Sequence, residues 1–223
     1  MIIDLPKNFR FYYPKKGAKE LKGNAEVRNG FLYIYGEVPF RRLMYDITYC
    51  LKGRTKCSYC GKEMNRQDAT LDHAYVQDMG GPTVPNNLEP CCADCNSQKA
   101  NFSKEQYARF LILNEADRKI YRKTVDTEQK LMRKNGMYSF PTEWLTQMSI
   151  QKFIVRVDLN KEFKGREYSK IKALYKEYGS LPKPIITDKD GFVLDGFASL
   201  MLAKEEELKL VPVIVLENVK VKF

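Results

Sequence analysis

The sequence of 223 residues has one histidine, one tryptophan and no long apolar run. Because a helix that crosses a bilayer needs about 20 predominantly apolar residues, a membrane span is not expected. The apolar N-terminus consists of Met1, Ile2 and Ile3, which is too short for the core of a secretory signal peptide. These absences predict a cytoplasmic protein without a membrane partner.

Cysteine is also infrequent, and its six residues are unevenly placed. Cys57 and Cys60 form one C-x-x-C pair, Cys92 and Cys95 form a second, and 31 residues separate the two pairs. Cytoplasmic thiols stay reduced, so this spacing indicates a metal site in preference to disulfides. Four thiolates complete a tetrahedral Zn²⁺ shell with no open position, which predicts a structural zinc. Four separate buried cysteines or a redox pair are the alternatives, and Cys91 could replace Cys92.

Acidic residues are outnumbered, because 38 Lys and Arg against 28 Asp and Glu give a formal net charge of +10. Residues 1–56 hold 12 of the basic and 5 of the acidic residues, a surplus of 7. Residues 10–16 interleave cations with aromatic rings, a composition suited to phosphate contact and base stacking. We expect a nucleic-acid partner, with Lys15, Lys16 and Arg54 as candidate contacts. A solvated basic face is the alternative.

The order of apolar residues and turn formers predicts a mixed α+β fold. Asn29-Gly30 between two β-prone runs indicates a hairpin. Apolar residues recur at helical spacing over residues 40–51, and Gly53 ends this pattern. Ser103 and Gln106 form a capping-box pattern that opens a further helix.

Breaks in these patterns divide the chain into four predicted segments. They are a basic N-terminal arm with the hairpin over residues 1–37, a motif-bearing domain with flanking helices over 38–134, a linker over 135–149, and a C-terminal domain over 150–223. The last segment alternates candidate strands with two candidate helices, which predicts a small α/β domain.

A set of polar residues and glycines stands between and after the cysteine pairs. It consists of Leu71-Asp72-His73-Ala74, Gly80-Gly81-Pro82, Asn86-Asn87-Leu88-Glu89-Pro90 and Asn96-Ser97-Gln98-Lys99. Together with both C-x-x-C pairs, residues 50–102 resemble the HNH endonuclease family, in the branch whose finger is held by zinc. The resemblance implies a ββα-metal finger, in which a hairpin carries Asp72 and His73, a loop carries Asn87, and a helix after the second pair carries Asn96.

The resemblance also implies a role for each of these residues. His73 would act as general base, which suits an imidazole with an ordinary pKa of about 6.5. Asp72 and Asn96 would bind one catalytic Mg²⁺ or Mn²⁺ ion, and their oxygen ligands favour Mg²⁺. Asn87 would orient the base and its loop, and Lys99 is a candidate phosphate contact.

The implied activity is endonucleolytic hydrolysis of DNA, with double-stranded DNA as the expected substrate and 5′-phosphate and 3′-hydroxyl ends as products. Such an enzyme is expected in a bacterial or phage-infected cell. Taken singly, His73 could be a hydrogen-bonded surface residue, Asn87 a turn residue and Asn96 a helix cap. A zinc-stapled nucleic-acid-binding or regulatory protein without nuclease activity is the alternative function.

Residues 150–218 resemble the ParB/sulfiredoxin-like domain in their glycine and hydrophobic positions, over residues 179–186, 190–196, 202–203 and 211–215. Members that handle nucleotide or nucleic acid place His, Glu or Arg after the Asp-Gly pair, where this chain has Phe197 and three further uncharged residues. We therefore expect no nucleotide-hydrolysing role. The expectation is a module for DNA recognition, partner binding or structure, including contact with a protein partner or self-association through residues 150–223.

Overall fold

The computed structural model describes residues 1–14, 22–155 and 165–222. Its strands and helices confirm the predicted α+β class. In chain order they are β1 (Arg10–Pro14), β2 (Lys22–Arg28), β3 (Phe31–Tyr35), α1 (Phe40–Lys52), β4 (Thr70–His73), β5 (Leu88–Cys91), α2 (Ala93–Lys99), α3 (Lys104–Leu111), α4 (Glu115–Lys134), β6 (Thr146–Ser149), α5 (Arg166–Tyr178), β7 (Ile185–Asp188), β8 (Val193–Asp195), α6 (Phe197–Glu205), β9 (Leu210–Leu216) and β10 (Val219–Lys222).

The first sheet has the strand order β1-β2-β3-β10. Strands β2 and β3 are joined by Asn29-Gly30, whose φ angles of 52° and 76° are those of a tight hairpin turn. This confirms the predicted hairpin. The final strand, β10, pairs in parallel with β3, so that Val219 lies beside Leu32.

A hydrophobic core lies between this sheet and α1. Helix α1 buries Leu43, Met44 and Ile47 against residues of the sheet and of β9, because its apolar side chains recur on one face. A hydrogen bond also links the N-terminal and C-terminal segments: Oδ1 of Asn218 accepts from the N–H of Ile3 over 3.0 Å. The core therefore draws on segments at both ends of the chain, and the division into arm, motif domain, linker and C-terminal domain stays a prediction.

The two-stranded sheet of β4 and β5 with α2 forms the ββα unit. The strands are antiparallel, with Asp72 opposite Glu89 and His73 opposite Leu88. Helix α2 follows β5, and Cys92 is its N-cap residue. The helix packs against β4. This unit places the motif residues close to the cysteine pairs.

The third sheet has the order β6-β9-β7-β8; α6 packs against the sheet, and α5 packs against α6. Helix α6 buries Leu200, Leu202 and Ala203 against Val211 and Val213 of β9. Across the described ranges, no helix is both long enough and apolar enough to cross a membrane.

Candidate active site

The four cysteines of the two pairs converge in a cysteine cluster formed by Cys57, Cys60, Cys92 and Cys95. Their sulfur atoms all lie within 4.8 Å of one another, and the Sγ atoms of Cys60 and Cys92 are 4.0 Å apart. Cys91 points elsewhere, because its buried Sγ lies 3.3 Å from Oγ1 of Thr70. The cysteine cluster is thus the predicted set, with Cys92 as the fourth ligand.

The backbone of the cysteine cluster favours thiolate at Cys57. Burial alone would raise the pKa of this thiol, but backbone N–H groups of Cys60, Cys92 and Tyr59 lower it to about 7. The N–H of Tyr59 donates to Sγ of Cys57 over 3.4 Å. Four convergent sulfurs with such donors fit a tetrahedral Zn²⁺ ion, which prefers thiolate ligands at structural sites.

Asp72 lies at the end of β4 and is held by two donors on one oxygen. Oδ2 accepts from Nζ of Lys99 over 2.8 Å and from the hydroxyl of Tyr59 over 2.5 Å. Among the described residues, Oδ1 has no hydrogen-bond or ion-pair partner. One carboxylate oxygen is therefore fixed in place while the other remains free to bind a ligand.

Lys99 is buried, with 1% of its surface exposed. Its ammonium also donates to the backbone oxygen of His73 over 2.8 Å. A buried cation needs such partners, because an unpaired charge in the interior is costly. The ammonium faces Asp72, and the role of Lys99 as a phosphate contact stays a prediction.

His73 is buried, with an exposed fraction of 8%. Its Nε2 lies 3.0 Å from Oγ1 of Thr83. Burial, and after it the positive charges of Arg41, Lys99 and Lys183, together lower the pKa of the imidazole to about 3. The imidazole is therefore neutral at pH 7, the protonation state of a general base, but a pKa of about 3 makes it a weak base in this environment.

Asn87 is fully buried and fastens the loop that follows His73. Its Oδ1 accepts from the N–H of Tyr75 over 2.7 Å, and its Nδ2 donates to the carbonyls of Tyr75 and Pro82 over 3.2 and 2.8 Å. The backbone oxygen of Asn87 accepts from the N–H of Ala74. Its contacts are those of a positioning residue, and they hold the loop that carries Thr83.

Asn96 lies in the second turn of α2. Its Nδ2 donates to Oγ1 of Thr70 over 3.1 Å. Among the described residues, the carbonyl oxygen Oδ1 has no partner. Asn96 therefore keeps one free oxygen, as Asp72 does.

These side chains line one opening, which we call the finger cleft. It has a volume of about 270 Å³. Its polar lining includes Arg41, Tyr45, Asp72, His73, Asn96 and Lys99. The structure thus brings together His73, Asp72, Asn96 and Lys99. Asn87 does not line the cleft and instead forms hydrogen bonds with the loop that follows His73.

Arg54, another predicted nucleic-acid contact, does not line the finger cleft. Arg54 stacks over the ring of Tyr49, with 3.9 Å from its guanidinium carbon to the ring centroid, and forms an ion pair with Asp46 over 3.6 Å. Lys15 and Lys16 fall outside the described residues. The geometry therefore adds no support for these three residues as phosphate contacts.

Sequence reasoning missed three residues of the site. Tyr59 forms a hydrogen bond with Asp72, Thr83 forms one with His73, and Arg41 of α1 lines the finger cleft. Thr83 directly follows Gly80-Gly81-Pro82, but no spacing rule connects a threonine in a loop to a histidine ten residues earlier. Tyr59 lies between the first two cysteines in the sequence, and this position does not indicate that its hydroxyl contacts Asp72.

A comparison with protein families finds a match over the motif region. The sequence model of the HNH endonuclease family matches residues 57–111, so this part of the chain is similar to an HNH endonuclease domain. The match contains the cysteine cluster together with β4, β5, α2 and α3. The comparison with curated proteins found no match.

Two solved structures of a pNOB8-like ParB N-domain are similar to part of the chain. One has 18% sequence identity and a TM-score of 0.28 and covers 32% of this chain and 28% of the other. The second has 19% identity and a TM-score of 0.27, with 32% and 26% covered. Both structures are thus matched over less than a third of their own length.

Proposed function

We propose that this protein is a divalent-metal-dependent endonuclease that hydrolyses phosphodiester bonds in DNA, with His73 as its general base. The observation that carries the proposal is the finger cleft, where a neutral imidazole and the free oxygens of Asp72 and Asn96 line one opening. The match of residues 57–111 to the HNH endonuclease family supports a nuclease-type function.

The free oxygens fit a hard divalent cation. Asp72 offers one carboxylate oxygen and Asn96 one amide oxygen, both of which are ligands that Mg²⁺ and Mn²⁺ accept. Lys99 already neutralises much of the charge of Asp72 at 2.8 Å. Protein ligands alone would therefore hold the cation weakly, and substrate phosphate oxygens would complete its shell, as is usual for Mg²⁺.

In the proposed reaction the protein positions a base beside the scissile phosphate. If Nε2–H of His73 donates to Oγ1 of Thr83, the lone pair of Nδ1 accepts the proton of the attacking water. The oxygen of that water bonds to phosphorus, the bond to the 3′ oxygen breaks, and the departing oxygen takes up a proton from solvent water. The bound cation would stabilise the negative charge that develops on the phosphate and on the leaving oxygen.

A plasmid-cleavage assay tests the proposal. Zinc-loaded protein is incubated with supercoiled plasmid in Mg²⁺, in Mn²⁺ and in EDTA, and the nicked and linear products are measured. We expect cleavage in either metal, none in EDTA, and a loss of at least about 100-fold in His73→Ala, since a general base contributes roughly 10²- to 10⁴-fold. Equal cleavage by His73→Ala, or no cleavage of plasmid, single-stranded DNA or RNA by the parent, would refute it.

The burial of His73 calls for a folding control. His73→Gln retains a polar side chain of similar length, and its thermal midpoint and zinc content are compared with those of the parent. A variant that binds zinc, unfolds at the same temperature and does not cleave isolates the loss of the base. A variant that unfolds early is replaced by Asn96→Ala, whose side chain is only half-buried.

One observation favours the alternative of a zinc-stapled nucleic-acid-binding protein. His73 and Asp72 both have protein partners, as residues with a purely structural role do. On this alternative, His73→Ala would bind DNA as the parent does, and neither would cut it. The proposed roles of residues 150–223 in DNA recognition, partner binding or self-association stay predictions.

A further inference from the structure

The finger cleft adjoins a second cavity. This second cavity has a volume of about 160 Å³ and is lined by Thr83 and by Lys183 and Asp195 of the C-terminal region. Arg41 and Gln77 line both openings. Thr83 of the second cavity contacts His73 of the finger cleft, and Arg41 lies on the lining that the two openings share.

The guanidinium of Arg41 is held in place by a neighbouring ring. Arg41 is exposed on the first turn of α1. Its Nε donates to the hydroxyl of Tyr45 over 2.9 Å, and its guanidinium carbon lies 5.5 Å from the centroid of that ring. Four of the five N–H donors of the guanidinium remain after this bond.

Arg41 also differs from the other cations near it. Arg42 forms an ion pair with Asp46 over 3.0 Å, and Lys99 forms one with Asp72 over 2.8 Å. Among the described residues that line the finger cleft, Arg41 is the cation without a carboxylate within ion-pair distance. An exposed and oriented guanidinium with no ion-pair partner among the described residues, on the lining of the cleft that holds His73, can bind an anion.

We propose that Arg41 binds the phosphate backbone of the nucleic acid beside His73 and so places the scissile phosphate in the finger cleft. This inference rests on the proposed endonuclease function. Arg41 belongs to α1, outside the residues that match the HNH family model. A planar guanidinium binds two phosphate oxygens at once, which fixes orientation as well as charge, whereas an ammonium binds as a point charge.

The experiment compares Arg41→Ala with Arg42→Ala in the full-length, zinc-loaded protein. These arginines are adjacent on one helix, both are exposed, and only Arg42 has a carboxylate partner. Binding of a labelled DNA duplex in EDTA is measured by fluorescence anisotropy over a series of NaCl concentrations. Cleavage of the same duplex in Mg²⁺ gives kcat and KM, and thermal midpoints check that both variants fold as the parent does.

We expect Arg41→Ala to reduce kcat/KM by at least about 10-fold and to lower the slope of log Kd against log salt by about 1. Arg42→Ala should stay within about twofold of the parent in both measurements, since an exposed ion pair contributes little. Arg41→Lys should restore the salt slope but not the full kcat, because charge returns without the paired geometry. Equal values for Arg41→Ala and Arg42→Ala would overturn the inference.

The two proposals fail in different ways. If the parent cleaves, His73→Ala does not, and Arg41→Ala cleaves like Arg42→Ala, the role of Arg41 is wrong and the endonuclease function stands. If the parent does not cleave, the endonuclease function is wrong, and the binding measurement alone decides whether Arg41 contacts phosphate. A parent that neither cleaves nor binds DNA or RNA overturns both.

Discussion

The hydroxyl of Tyr59 donates a hydrogen bond to Oδ2 of Asp72 over 2.5 Å. Tyr59 lies between the two cysteines of the first pair, and its ring packs edge-on against Tyr107 with 5.4 Å between centroids. Burial and the bond to Asp72 raise the pKa of the Tyr59 hydroxyl, so it remains protonated and acts as a donor. The cysteine cluster is thereby tied to the proposed catalytic carboxylate through a single side chain.

Tyr59→Phe should separate this bond from the zinc site. We expect unchanged zinc content and a free energy of unfolding lower by about 1.5–3 kcal/mol, the usual contribution of a hydrogen bond to a charged group. Cleavage should fall as well, because Asp72 loses one of its two fixing donors. Urea unfolding, metal analysis and the plasmid assay measure the three effects. A fall in zinc content would instead assign Tyr59 a role in holding the metal knuckle.

Lys99→Met should destabilise the protein strongly. It leaves the Asp72 carboxylate buried without its counter-ion, and breaking a buried pair from one side costs about 3–5 kcal/mol. Lys104→Met is the matched control, because Lys104 pairs with Glu89 over 2.7 Å but is 43% exposed. Its effect should stay below about 1 kcal/mol. Similar unfolding free energies for both variants would contradict the interior pairing of Lys99.

Thr83→Val tests the contact with His73. Valine keeps the shape of threonine but removes the hydroxyl that lies 3.0 Å from Nε2. We expect kcat to fall while KM for DNA changes little, because the loss concerns the orientation of the base and not substrate binding. Thr83→Ser retains the hydroxyl and should recover most of kcat. If Val and Ser variants are equally impaired, packing and not the hydrogen bond is what matters at this position.

Cys60 and Cys50 offer a paired test of the zinc site. Both cysteines are exposed, but only Cys60 belongs to the cysteine cluster. Cys60→Ser should lower the zinc content and the thermal midpoint together, since the binding energy of a structural zinc contributes to folding. Cys50→Ser should leave about one zinc per chain and an unchanged midpoint. Equal zinc content in the two variants would show that the four sulfurs do not share an ion.

Features with short-range chemical causes were predictable from the sequence. The Asn29-Gly30 turn follows from two positions that adopt positive φ, and the capping box at Ser103 and Gln106 follows from bonds within one helical turn. The cysteine cluster follows from the spacing of its pairs. The ββα unit was implied by the resemblance to the HNH family, and β4, β5 and α2 form it.

The partners of individual side chains were less predictable from the sequence than the helices and strands. Lys99 has the composition of a surface residue, and only the packing of α2 against β4 encloses its ammonium beside Asp72. Arg41 enters the finger cleft from a helix that precedes the motif, because α1 packs next to β5. Such contacts depend on how distant segments approach one another, for which local spacing carries no signal.

The four cysteines of the cysteine cluster, the order of the motif residues and the surplus of basic charge can be read from the sequence, because each depends on residue type and short spacing. Three features come only from the packing of the folded chain: β10 joins the N-terminal sheet, Lys99 is buried, and Tyr59, Thr83 and Arg41 contact or line the site. Burial and pairing depend on the packing of segments that are far apart in the chain, and no local pattern of residues encodes that packing.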